Sequence, residues 1–449
     1  MVSAGWSSPT AVARSSVVFR DALVAVGAGL AVAVAVAYTA VSPRAMLLVL
    51  VGAGAAAAIL TSDARAAFGL GLSLPLVQDL SGGHLGIHIA ASDVVLVLIG
   101  ARLLIGAARS KRLEEVQALR PVGAPVLQYL VFVLLLLAVH FDAGSVAKTL
   151  QRMELIGLPL LAGAFVALRN HHARFLRGYV IATTALAVTW PILSHMGHAG
   201  QLQKNPVGQL IVNAILLLIA VPGLRRLLFC LPLLVTGLGF TASRGAILAL
   251  GVGVIVLTLY SARSNPRMIF ARALLLAVAG LAAYQLLPAT TQSRLFSLSG
   301  SAATASGYPI AAREDYARQA ERIIRAHPWT GVGVGNYFAE DPSFGASTDP
   351  HDVVLLEAAE GGYMFAASFI VLIAGSAGFL WRRRTERLAA AAAAVMLATA
   401  AHGLVDIYWV RVTPVAGWTM VGVACGLAYR TRAAPVPRRA PTKRGASGS

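Results

Sequence analysis

Long apolar runs separated by short basic gaps recur along almost the whole chain. A helix needs ~20 apolar residues to cross the hydrocarbon core of a bilayer. Runs near that length predict spans at Asp21–Ala40, Ala45–Leu60, Ala66–Leu80, His88–Gly106, Val122–His140, Met153–Leu168 and Phe175–Ser194. Further spans are predicted at Val207–Val221, Leu227–Thr241, Gly245–Ser261 and Met268–Leu287. After a polar break come Val353–Leu380, Leu388–Ala401 and Pro414–Tyr429. The count is about twelve to fourteen, and the short run at Ala66–Leu80 suits a re-entrant segment as well as a span.

The runs are rich in alanine, valine, leucine and glycine, with little period-two alternation. A barrel strand must alternate between lipid and lumen, so these spans read as helices. The expected fold is an all-α polytopic membrane protein. It divides into an N-terminal helix bundle (1–287), a large extracytoplasmic loop (288–350), C-terminal spans (351–430) and a disordered basic tail (431–449).

Composition supports this pattern. The chain has 449 residues, of which 57% are hydrophobic and 12% charged. A soluble domain is roughly a quarter charged, so this chain cannot cover a water-facing surface of its size. The net charge of +18 raises the question of nucleic acid. The cations answer it, because they gather in short gaps such as Arg109–Glu115, Arg169–Arg177 and Trp381–Arg387. That is the signature of cytoplasmic loops. With the N-terminus inside, every dense Lys/Arg cluster and the tail fall on one side, provided that Ala66–Leu80 crosses. No nucleic-acid partner is expected. The N-terminus has no short apolar core ending in a cleavage site, so its first run reads as an uncleaved span. Cys230 and Cys425 lie in apolar runs and read as buried thiols.

The break between Pro288 and Pro350 holds a helical pattern, with Ala312, Tyr316, Ala320 and Ile323 on one face. His327-Pro328 stops that helix, and Gly331, Gly333 and Gly335 follow. This spacing is not the dinucleotide fingerprint, no Lys-Ser/Thr follows, and the segment before it is helical. A structural turn is the better reading than a phosphate cradle.

Several polar residues stand at the outer ends of the predicted spans. Arg244, within Thr241-Ala-Ser-Arg-Gly245, is either a snorkelling arginine or a bidentate phosphate ligand, and the residues alone leave both open. His351 follows Pro350 where the loop re-enters the membrane, which makes it a candidate base, and Glu360 lies further along the same helix. Lys204 is a cation at the start of a span, next to Asn205-Pro206. Asp406 and Arg411 flank an outer turn and suggest a structural ion pair. Asp93 is the one acid inside a run that would suit a transporter, although it lies near a span start.

Together these residues resemble the O-antigen ligase and polymerase-like superfamily of bacterial membrane glycosyltransferases. The resemblance is carried in order by QKNPVGQL, TASRGAILAL, AAREDYARQAERIIRAHPWTGVGVGNYF and PHDVVLLEAAEGG. It runs from about Met196 to Tyr429. It departs at Asp352, where the family has Asn, and at Tyr316, where tryptophan is common. The resemblance implies transfer of a glycan from an undecaprenyl-diphosphate carrier to an acceptor glycan or glycolipid hydroxyl, outside the bacterial plasma membrane. Arg244 and Arg313 would neutralise diphosphate, His351 would activate the hydroxyl, and Lys204 and Glu360 would contact substrate. No metal or other cofactor is implied. Asp352 could raise the basicity of His351 or simply be solvated. A transporter or flippase, or a non-catalytic partner of envelope assembly, are the alternatives from other classes.

The topology is open to a direct test. Cysteines placed at Ser299 and Ser343 should react with a membrane-impermeant thiol reagent in intact cells. Labelling only after permeabilisation would invert the assignment.

Overall fold

The computed structural model describes residues 54–76, 90–110, 114–195, 203–261, parts of 267–292, 308–337, 349–409 and 412–433. The predicted span at Asp21–Ala40 lies outside them, as do the first part of Ala45–Leu60, the last residues of Ala66–Leu80, the first two of His88–Gly106 and parts of Met268–Leu287. Elsewhere helices occupy the predicted runs. In chain order they are α1 (Asp63–Ser73), α2 (Ala91–Ser110), α3 (Glu114–Ala118), α4 (Arg120–Val139), α5 (Ala143–Leu168), α6 (His172–His195) and α7 (Lys204–Ala220). They continue as α8 (Cys230–Thr241), α9 (Arg244–Ser261), α10 (Tyr308–Ala326), α11 (Val353–Arg382), α12 (Arg387–Gly403) and α13 (Val412–Ala433). Four described stretches, Arg120–Val139, Gly144–Leu168, His172–Leu193 and Val353–Arg382, are long and apolar enough to cross a membrane. The protein is an all-α polytopic membrane protein.

Small residues let these helices approach closely. A side chain on Gly163 of α5 would come within 2.0 Å of the Thr419 carbonyl oxygen on α13. One on Gly422 of α13 would come within 2.2 Å of the Leu160 oxygen on α5. Gly71 of α1 and Gly178 of α6 meet the facing backbone in the same way. Lipid tails are as apolar as leucine, so such contact supplies dispersion attraction that hydrophobicity alone does not. Ala389–Ala394 of α12 are all buried for the same reason. Cys230 and Cys425 are buried free thiols.

One end of the bundle collects the basic gaps. There Arg169 pairs with Glu115 at 3.5 Å, and Arg430 donates to Asn170 Oδ1 at 3.0 Å. The other end collects the polar residues singled out above. His140, just past α4, meets the Thr330 carbonyl at 3.3 Å. Asp142 caps α5 through the Ser145 N–H at 2.9 Å, and Asn336 donates to the same carboxylate at 3.3 Å.

The glycine turn explains how the loop is held there. Gly331, Gly333 and Gly335 all have positive φ, at 58°, 96° and 85°. That is left-handed backbone, which favours glycine. A side chain on Gly331 would sit 2.2 Å from the Glu360 carbonyl carbon. The turn therefore lies flat against α11. There Val332 N–H donates to Ala359 O at 3.1 Å and Gly333 N–H to Glu360 O at 2.8 Å. The Tyr363 N–H donates back to Pro328 O at 2.9 Å. These bonds serve groups released where α11 breaks at Gly362, with φ 75°. The stretch is a structural pivot.

Beneath the turn is an ion cluster. Arg152 of α5 contacts Glu360, and donates to Glu357 at 3.1 Å. Tyr129 of α4 donates to Glu357 at 3.1 Å, and the Gly335 N–H donates to Glu360 at 2.9 Å. The guanidinium lies 5.1 Å from the Trp409 ring centroid and 5.7 Å from that of Phe365. All three charged side chains are at most 6% exposed.

Removing the cation strands two carboxylates, and breaking a buried pair this way costs about 3–5 kcal/mol. Arg152→Ala should therefore lower the unfolding temperature in detergent sharply, and adding Glu357→Gln with Glu360→Gln should restore part of it. An Arg152→Ala protein as stable as the parent would show that the cluster holds nothing together.

Candidate functional site

The site is organised around Asp406, in the turn between α12 and α13. This carboxylate is 2% exposed, and α7, α10 and the segment before α11 reach it, besides its own turn. Arg313 of α10 donates to Oδ2 at 3.1 Å, and Asn205 of α7 donates to the same oxygen. The Ile407 N–H donates to Oδ1 at 2.8 Å. His351 Nδ1 stands 3.4 Å from Oδ1, within ion-pair range but longer than a well-formed hydrogen bond. Burial alone would push the Asp406 carboxyl up. His351, His402, the Ile407 N–H and Arg313 together hold it below the usual carboxylate range. Asp406 is therefore a fixed negative charge facing two histidines and an arginine.

His351 is held in an unusual pose. Its φ is 58°, left-handed backbone that a non-glycine residue adopts only when its surroundings impose it. Those surroundings are on both sides. Its N–H donates to Asp349 Oδ1 at 2.6 Å. The next residue, Asp352, starts α11 as its N-cap, accepting from Val354 N–H at 2.8 Å and Leu355 N–H at 3.1 Å. Asp352 thus serves the helix end, and the carboxylate that meets the His351 ring is Asp406. The ring also stacks on Tyr316 of α10, with centroids 5.8 Å apart. Tyr316 is fixed in turn, since Tyr337 donates to its carbonyl at 2.8 Å.

Arg244 is the first residue of α9. Its neighbours have structural work of their own. Ser243 accepts from the Ala246 N–H at 3.3 Å, and Ala242 turns the chain with φ 47°. A side chain on Gly245 would come within 3.0 Å of the His402 ring. The Ser-Arg-Gly frame is thus explained by capping and close packing, and by itself says nothing about Arg244. Its location says more, because α9 starts beside His402 and Val405, directly before Asp406 in chain order. Lys204 is exposed at the start of α7, one residue before Asn205.

The structure thus brings Arg313, His351 and Asp406 into contact, with Arg244 and Lys204 at the adjoining helix starts. It sets Glu360 apart: that side chain is 3% exposed and engaged by Arg152 and Gly335. The suggested partner of Asp406, Arg411, lies outside the described residues. Asp93 caps the start of α2, accepting from the Ala90 N–H at 2.6 Å. Three residues were missed. His402 is fully buried, next to Gly245. Its spacing to Asp406 (i, i+4 across a helix end) was the available signal. Arg152 was placed outside a span predicted to begin at Met153, whereas α5 begins at Ala143. Glu357 sits in the same apolar helix as Glu360, and an acid in such a run is a functional or structural signal by default.

Residues 228–370 match the family model described as O-antigen ligase. The match takes in Arg244, Arg313, His351 and Glu360, while Lys204, Asn205 and Asp406 lie on either side of it. No curated protein matches this chain.

Asp349 gives this site a pH signature. Burial pushes its carboxyl from 3.8 up to about 7, against the pull of the His351 N–H and ring. The folded state therefore keeps a proton that the unfolded chain releases. The resulting stability is complete below about pH 4 and is lost as pH rises through about 7. The unfolding temperature should fall between mildly acidic and mildly alkaline buffer. Asp349→Asn, which keeps the acceptor for His351, should flatten that slope and stabilise the alkaline form. An unchanged slope in the variant would assign the pH dependence to another group.

Proposed function

We propose that this O-antigen ligase-like chain transfers a glycan from an undecaprenyl-diphosphate carrier to an acceptor hydroxyl at the outer face of a bacterial plasma membrane. The family match supports membrane-bound glycan transfer in general. The observation that carries the finer reading is the grouping of His351, Arg313 and Asp406, with two further cations at neighbouring helix starts.

The chemistry needs two things. The bond between the anomeric carbon and the diphosphate oxygen breaks, leaving negative charge on the departing diphosphate. A bond to the acceptor oxygen forms, and that oxygen must lose a proton. Arg244 and Arg313 serve the first need, as planar forks suited to phosphate oxygens. Arg313 is bound to Asp406 on one side and is 38% exposed, which leaves donors facing outward. Lys204 adds a further cation at the rim.

His351 serves the second need. A proton on Nδ1, directed at Asp406, leaves the Nε2 lone pair for the acceptor hydroxyl. As the proton arrives, Asp406 stabilises the imidazolium, and the stack on Tyr316 keeps the ring in place. Asp406 is thus the positioning partner of the base. Glu360, engaged with Arg152, belongs to the frame that holds the loop.

A transporter reading would draw on the ionisable residues within the bundle. Among them Arg152, Glu357 and Glu360 satisfy one another, and Asp93 caps its own helix. That closure favours a clamp over a conduction path.

The test is turnover of a purified lipid-diphosphate glycan donor, with donor binding measured separately. General-base help is worth about 10²–10⁴-fold, so His351→Ala should lose turnover on that scale and keep donor affinity. Arg244→Lys keeps the charge and loses the fork, so it should weaken donor binding or turnover strongly. Normal turnover by His351→Ala at saturating donor would remove His351 from the role of base.

A further inference from the structure

At the end of the bundle opposite His351 lies a cleft of about 670 Å³. It forms between the start of α4, the final turns of α11 and the C-terminal end of α13. Arg120, Arg382, Arg383 and Arg432 line it. They come from three separate parts of the chain and converge on one space.

Arginines at helix C-termini and in cytoplasmic gaps have ordinary explanations, the helix dipole and membrane topology. The surroundings of this group go beyond them. Some arginines at this end have protein partners, Arg383 of the cleft itself among them. Arg169 pairs with Glu115 at 3.5 Å, Arg430 bonds Asn170, and Arg383 donates to Glu386 at 2.6 Å. Arg120, Arg382 and Arg432 have no acceptor among the described residues, and no carboxylate lines the cleft. Positive charge is thus concentrated there, and among the described residues three of the four lining cations are left unanswered.

The rest of the lining is apolar and shaped for a chain. Pro125 packs against Gly375, where a side chain would come within 2.9 Å of the proline ring. One turn on, Gly378 faces open space, with Phe379 beside it. The cleft therefore offers cations at its mouth and a smooth apolar wall leading into the bundle's lipid-facing side. A guanidinium fork matches phosphate oxygens, and basic pockets between spanning helices suit lipid headgroups.

We propose that this cleft binds the phosphodiester headgroup of an anionic glycerophospholipid, with its acyl chains along Pro125, Gly375, Gly378 and Phe379. The lipid would tie the ends of α4, α11 and α13 together. The inference is independent of the reaction at the opposite end.

The test uses the full chain in neutral detergent, delipidated, with phosphatidylglycerol or phosphatidylcholine added and retained lipid read by native mass spectrometry. Phosphatidylglycerol should be retained preferentially and should raise the unfolding temperature. Affinity should drop about fivefold for each arginine removed in Arg120→Ala, Arg382→Ala and Arg432→Ala, since a surface cation contributes on that scale. Arg318→Ala, at the other end, should change nothing. Because Arg120, Arg382 and Arg432 are exposed, the variants should fold, and their unfolding without lipid is the control. Equal retention of the two lipids, or retention unchanged in the triple variant, overturns the proposal. Inorganic phosphate competing away the lipid's stabilisation at similar concentration would make it a free-phosphate site, and would also overturn it.

Discussion

Arg152 is a full positive charge enclosed between two carboxylates, one of which also bonds the glycine turn. Each partner would be costly to bury alone, and together they close on one another. The consequence is geometric. Glu360 also accepts the Gly335 N–H, and Glu357 accepts from Tyr129. A single cation thus fixes α4, α5, the start of α11 and the returning loop in one arrangement. His351 directly precedes the N-cap of α11, so its position follows from that arrangement.

The family-matched stretch does not make the site by itself. It supplies His351, Arg313 and Arg244, whereas the buried carboxylate that meets His351 and Arg313 comes from the turn before α13, and Asn205 from the start of α7. The flanking helices are therefore part of the candidate site. A transplant of residues 228–370 alone would carry Arg313 and His351 without the charge they meet.

Much of this was legible in the sequence, for a physical reason. A bilayer demands long apolar helices with their cations on one side, and both leave one-dimensional traces. The loop helix, its stop at His327-Pro328 and the structural nature of the glycine turn were readable from local chemistry. Pairings across the fold were not. Asp406 lies 201 positions from Asn205 and 93 from Arg313. Nothing local distinguishes it from an acid paired with the nearby Arg411. Asp352 misled in the opposite way, since an acid next to a histidine invites pairing, yet its side chain turns back to cap its own helix.

The break in α11 at Gly362 has a mechanical consequence. Before it, the helix is bonded to the glycine turn and starts just after His351. After it, Tyr363–Arg382 runs through the bundle on its own axis to the opposite face. A membrane that thickens or thins is met by tilting of its spanning helices. In a straight α11 that tilt would swing His351 relative to Asp406. With the break, the bearing of the first segment is set by its bonds to the loop, at Ala359 and Glu360, rather than by the direction of the segment that follows.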